Sequence, residues 1–203
     1  MMNKLITVCV VILLTGSMAL AMDVHIPPWR GAPGSTYQRW EFKTDDLMPP
    51  PDAVNNPYGT PTLTVDPKGP WNFEKGWPLS GQIDVIIDNQ LEPLPLKYIQ
   101  IQLAWYVGNN NPLPDEPLIG IVSWPTSTVL IPPPKVEVIS PELGLMLSTY
   151  SIVLEPNPFR EWIAIKGDII VRELVIDTIC IPEPATMTLL GLGGLALMRK
   201  RRV

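Results

Sequence analysis

The chain has 203 residues, 20 acidic and 15 basic, and a net charge of −5. Charged residues make up only 17%, hydrophobic residues 46%, and there are seven Trp and 25 Pro. This composition excludes a charge-rich disordered tail and, through its prolines, a fold built on long helices.

Residues 1–21 divide into three parts. Met1-Met2-Asn3-Lys4 is a short positive start, Leu5 to Leu14 is apolar apart from Thr7, and Ala19-Leu20-Ala21 is a small-x-small sequence. This order predicts a secretory signal helix cut by signal peptidase at Ala19 and Ala21, leaving Met22 as the mature start. About 160 residues then remain between the two targeting ends, enough for a single packed domain.

Residues 22–61 read as a Pro-rich extended segment. His25-Ile26-Pro27-Pro28-Trp29-Arg30-Gly31 and Met48-Pro49-Pro50-Pro51-Asp52 favour polyproline and turn geometry. Yet the segment holds Trp29, Tyr37, Trp40, Phe42 and Tyr58, more aromatic surface than a tether needs. We expect Thr36–Lys43 to pack on the main domain as an edge strand, with presentation of the rings to a ligand as the other reading.

Residues 62–180 carry the period of strands. Gln82–Asp88 alternates with Ile83, Val85 and Ile87 on one face. In Lys97–Val107, Ile99, Ile101, Leu103, Trp105 and Val107 share one face. Further strands are expected at Leu118–Ser123, Thr128–Ile131, Val136–Ile139, Leu145–Leu154, Glu161–Lys166 and Ile169–Ile179, separated by Gly-, Asn- and Pro-rich turns. The expected fold is all-β: an antiparallel β-sandwich, jelly-roll-like, of eight or nine short strands.

Residues 181–203 are the most specific part of the chain. Pro182-Glu183-Pro184 is followed by Ala185-Thr186, a Gly-containing apolar stretch to Met198, and the run Arg199-Lys200-Arg201-Arg202. As a helix, Ala185 to Met198 spans about 21 Å, short of the roughly 30 Å hydrocarbon core. The terminal cations fit a topology signal held on the cytoplasmic side, so the stretch reads as a hydrophobic sorting helix that anchors the chain transiently in the inner membrane. The tail closely resembles the PEP-CTERM sorting signal. That resemblance implies recognition by exosortase, a cut near Pro182-Glu183-Pro184, and release to the cell surface or extracellular matrix of a bacterium that makes exopolysaccharide.

Residue chemistry excludes several functions. All acidic residues lie between Asp23 and Glu183, with ten basic residues among them. Such an acidic domain repels phosphate backbones, so nucleic acid is not an expected partner. His25 is the single histidine, and no Gly-x-Ser-x-Gly is present, so no catalytic residues are assigned and no enzyme is expected. One His and one mature Cys cannot build a zinc site, and neither Asp45-Asp46 nor Asp115-Glu116 has calcium-loop spacing. No metal or other cofactor is expected. Asp84 and Asp88 lie about 13 Å apart along a strand, too far for a catalytic pair. Cys180 has no mature partner for a disulfide; it reads as a small apolar residue at a strand end rather than a reactive thiol.

Three readings of the domain follow. The leading one is a non-catalytic structural protein of the envelope or biofilm matrix. The second is a carbohydrate-binding module for exopolysaccharide, with Trp71, Trp77, Trp124 and Trp162 as candidate glycan contacts. The third, a glycan-active enzyme, needs two convergent buried carboxylates.

Overall fold

A computed structural model describes residues 23–67, 69–79, 81–92, 94–107 and 116–181. The signal helix and the sorting helix lie outside these residues. Twelve strands and no helix occur among the described residues: β1 (Ser35–Trp40), β2 (Ala53–Asn55), β3 (Thr62–Val65), β4 (Trp77–Leu79), β5 (Gln82–Asp88), β6 (Leu96–Val107), β7 (Leu118–Trp124), β8 (Thr128–Leu130), β9 (Lys135–Ser140), β10 (Leu145–Glu155), β11 (Arg160–Lys166) and β12 (Ile169–Ile181).

All pairings are antiparallel. The larger sheet has the order β2-β1-β12-β6-β10-β8, with β9 also on β10 and β4 also on β12; the smaller has the order β3-β5-β11-β7. The core forms where the inner faces meet. Ile83, Val85, Ile87, Ile163 and Ile165 come from the smaller sheet; Ile99, Ile101, Leu103, Trp105, Leu174 and Ile176 come from the larger. The period-2 alternation of these residues produces the two-layered antiparallel architecture, because each strand can bury only one face.

The strands divide eight and four, a larger number than the sequence pattern predicts. The excess comes from chain that the pattern reads as extended or turn. β1 is not an edge strand: β12 lies on one side and β2 on the other. Trp40 and Phe42 are buried in the core. Three-residue β4 pairs with Ile169–Val171 of β12, beyond the stretch that β1 occupies.

Strand β12 is the spine of the larger sheet. It pairs with β6 from Ile169↔Val107 to Ile181↔Leu96, with one irregularity between Val171 and Glu173. The final described residue, Ile181, is therefore still in the sheet, at the end of a central strand.

The segment before β1 crosses the outer face of the larger sheet. Arg30 is its clamp: Nε donates to Asp177 Oδ1 at 2.6 Å, and the same guanidinium pairs with Asp23. The guanidinium also lies 4.1 Å from the Tyr37 ring centroid. Burial pushes the Asp23 carboxyl up, but the Arg30 hydrogen bond and charge more than offset it and hold Asp23 below the ordinary range. At the more deeply buried Asp177, burial outweighs Arg30 and the shift is upward. Arg30 thus neutralises a carboxylate with no exposed side-chain surface.

Candidate functional site

The outer face of the smaller sheet is the surface that the Trp residues single out. β11 pairs with β7 so that Trp162 faces Val122 and Arg160 faces Trp124. Trp124 and Trp162 are consequently diagonal neighbours on one face, about 7–8 Å apart by sheet geometry. Trp124 is 43% exposed, and on the same face Val122, Ile86 beside Trp162, and Leu118 at the far end of β7 also reach solvent. Gly120 and Ala164 face each other in the middle of these strands and keep the surface low.

Polar groups flank this apolar patch. Trp162 Nε1 donates to Asp84 Oδ1 at 2.7 Å. Arg160 Nε donates to Asp88 Oδ1 at 2.6 Å. Asp84 and Asp88 therefore each hold a separate local partner. An exposed indole beside hydrogen-bonding carboxylates and a guanidinium can stack on an apolar ring face and bond to its rim.

Two of the four candidate Trp residues do not join them. Trp77 is 4% exposed and sits in the main core, so no ring face is open to a sugar. The cause lies in the preceding turn: Gly76 has φ +102° and comes so close to β12 that an added Cβ would sit 2.0 Å from the Val171 carbonyl oxygen. That approach needs a glycine and tucks Trp77 inward. Trp71 is half-buried against the same core, and its Nε1 donates to the Phe42 carbonyl at 3.0 Å.

His25 lies over the outer face of the larger sheet, away from these Trp residues. Its backbone N–H donates to Gln102 Oε1 at 2.8 Å, and its ring pairs with Glu137. These partners fasten the N-terminal segment, and they include no Ser or Cys. No cluster of three or more potential metal ligands occurs among the described residues.

The sequence reading passed over a buried group at the end of the sandwich from which the tail emerges. Lys97 and Glu161 have no exposed side-chain surface and pair at 2.5 Å. Asn89 is 3% exposed and contacts both. The signal was present in the alternation: Lys97 shares the parity of Ile99 and Ile101, and Glu161 that of Ile163 and Ile165. A charge at a core parity position requires a partner. Cys180 lies beside this group, 2% exposed, with its thiol 3.1 Å from Asn157 Oδ1. Burial pushes that thiol up, which makes it a poor nucleophile at neutral pH and fits the small-apolar reading.

The predicted signal-peptidase residues Ala19 and Ala21, the motif Pro182, Glu183 and Pro184, and the cations Arg199, Lys200, Arg201 and Arg202 lie outside the described residues. Comparison with known families identifies the tail independently: the PEP-CTERM protein-sorting motif matches residues 181–202. No curated protein and no solved structure matches the chain. A motif of this kind implies processing by exosortase and export to the cell surface. The chain thus carries a PEP-CTERM sorting motif that begins at the last residue of a central strand of an all-β domain, and that motif supports export and sorting by exosortase.

Proposed function

We propose that this protein is a non-catalytic structural component of the bacterial envelope or extracellular matrix. Signal peptidase and the export machinery deliver it, the tail anchors it briefly in the inner membrane, and exosortase then passes it to the surface. One observation carries this reading best: the matched motif begins at Ile181, which is still the register partner of Leu96 in the sheet. A cut near Pro182-Glu183-Pro184 would free a domain complete in its core. Removal of exosortase is expected to move the protein from the surface fraction to the inner membrane. Equal surface display with and without exosortase would overturn the proposal.

A second reading is favoured by the shared face of Trp124 and Trp162: the domain binds exopolysaccharide there. Exchanging both for Ala should lower retention on the host's own polysaccharide about tenfold, the worth of roughly 1.4 kcal/mol. Trp71→Ala should leave retention unchanged in protein that still folds. Unaltered retention in the Trp124/Trp162 double variant would remove this reading and leave the structural one standing.

A further inference from the structure

Lys97, Glu161 and Asn89 hold the elements of a covalent reaction. Lys97 Nζ donates to Glu161 Oε1 at 2.5 Å and to Asn89 Oδ1. Asn89 Nδ2 donates to the other oxygen of Glu161 and to the Pro158 carbonyl at 3.0 Å. A simple ion pair needs only the lysine and the glutamate. Here a carboxamide is inserted as well, with its oxygen on the amine and its nitrogen on the carboxyl.

That order matters chemically. The carboxamide carbon Cγ is bonded directly to the oxygen that Nζ touches, so the amine and the carbon it would attack are held as neighbours in one site. The surroundings are dry. Lys97 is flanked in its sheet by Leu154 and Cys180, both buried, and Glu161 faces Ile87. Keeping an ammonium and a carboxylate in such a place is costly. A proton passed from Lys97 to Glu161 removes both charges and creates a free amine beside a carboxylic acid. Burial pushes the Glu161 carboxyl upward against the pull of Lys97 and Asn89, which favours the protonated form.

We propose that Lys97 and Asn89 join in an intramolecular isopeptide bond, with Glu161 as the proton relay. Nζ attacks Cγ and the Nζ–Cγ bond forms. Glu161 protonates Nδ2, the Cγ–Nδ2 bond breaks, and ammonia leaves. Glu161 recovers a proton from Nζ and remains as a neutral acid beside the new amide. Starting from the ion pair, an ammonium, a carboxylate and a carboxamide become an amide, a carboxylic acid and ammonia. Atoms and charge balance, and no oxidant is involved. Exclusion of water from the site protects the carboxamide from hydrolysis.

The bond ties the end of β5 in the smaller sheet to the start of β6 in the larger. Lys97 is also the register partner of Cys180, the residue before the sorting motif begins. The two layers are thus locked together where the tail is attached, in a domain whose described cysteine is free.

The test is the intact mass of the full chain, denatured and reduced, made in a host without exosortase so that tail processing plays no part. The wild-type protein should be lighter by one ammonia. Trypsin should fail to cut after Lys97, so that residues 76–135 appear as one fragment, lighter by one ammonia and closed into an internal loop between Asn89 and Lys97. The Glu161→Gln variant should regain the full mass. Four results would overturn the proposal: full wild-type mass, an amine-reactive Lys97 in the unfolded chain, ammonia loss with Lys97 free, or loss of water with the amide at Glu161. The wild-type measurement stands even if the variant does not fold.

Discussion

Exchanging Lys97 for Met should destabilise the domain by about 3–5 kcal/mol, because it leaves the Glu161 carboxyl and the Asn89 carboxamide buried without the Lys97 nitrogen they share. For a domain of this size that corresponds to a fall in melting temperature of very roughly 6–20 °C. The magnitude follows from burial: neither Lys97 nor Glu161 has exposed side-chain surface, so water cannot replace the lost partner. Thermal unfolding by circular dichroism measures it. The double variant Lys97→Met with Glu161→Leu should recover most of the loss, since apolar replacement of a whole buried pair is often neutral or better. Any deficit that persists in the double variant reads the covalent link it also lacks. A melting temperature unchanged in the single variant would show that Glu161 is not confined to the interior.

The second large effect is expected at Trp77. Removing this side chain as Trp77→Ala should cost about 3–5 kcal/mol, the range for emptying a large aromatic site in a packed core. Trp77 packs with Leu79, Val171 and the rest of the main cluster, and β4, which carries it, has only three residues to hold it in place. Trp124→Ala should cost far less, about 0.5–1 kcal/mol, because nearly half of the residue is already exposed and it lies outside the core cluster. Denaturant unfolding distinguishes the two through the shift in midpoint at constant slope. Equal costs at both positions would mean that Trp124 is covered and that the outer face is not available to a ligand.

The contrast between these two residues shows where sequence reading stops. Eight expected strands, from Gln82–Asp88 to Ile169–Ile179, are found within a few residues of their predicted ends. Alternation is a local property, and most of these strands express it over enough residues to be read; β8 has only three residues but lies between the turn signals at Pro125 and Pro132. Strands β2 and β4 are as short and sit in Pro- and Gly-rich chain that reads as turn. The inward turn of Trp77 depends on Gly76 meeting Val171, a contact across about a hundred residues of chain that only the folded topology creates. The position of β1 between two strands, rather than at an edge, has the same origin.

The candidate sites divide similarly. The sorting tail was legible in full, because it is a linear signal: tripeptide, apolar stretch and basic end in fixed order. The pairing of Trp124 with Trp162 was not legible, because it depends on the β7–β11 register. The Lys97–Glu161 pair lies between these cases. Each charge breaks an apolar alternation and so announces a buried group, but the register that brings Asn89 to both is a property of the two sheets together.

Export followed by exosortase processing is tested most directly by the intact mass of the protein recovered from its natural type of host with and without exosortase. The expected chain lacks residues 1–21 in both cases and lacks the tail beyond the Pro182–Ala185 region only when exosortase is present. A mature protein that keeps Arg199–Val203 in both hosts would contradict it, and would make the tail a standing membrane anchor instead.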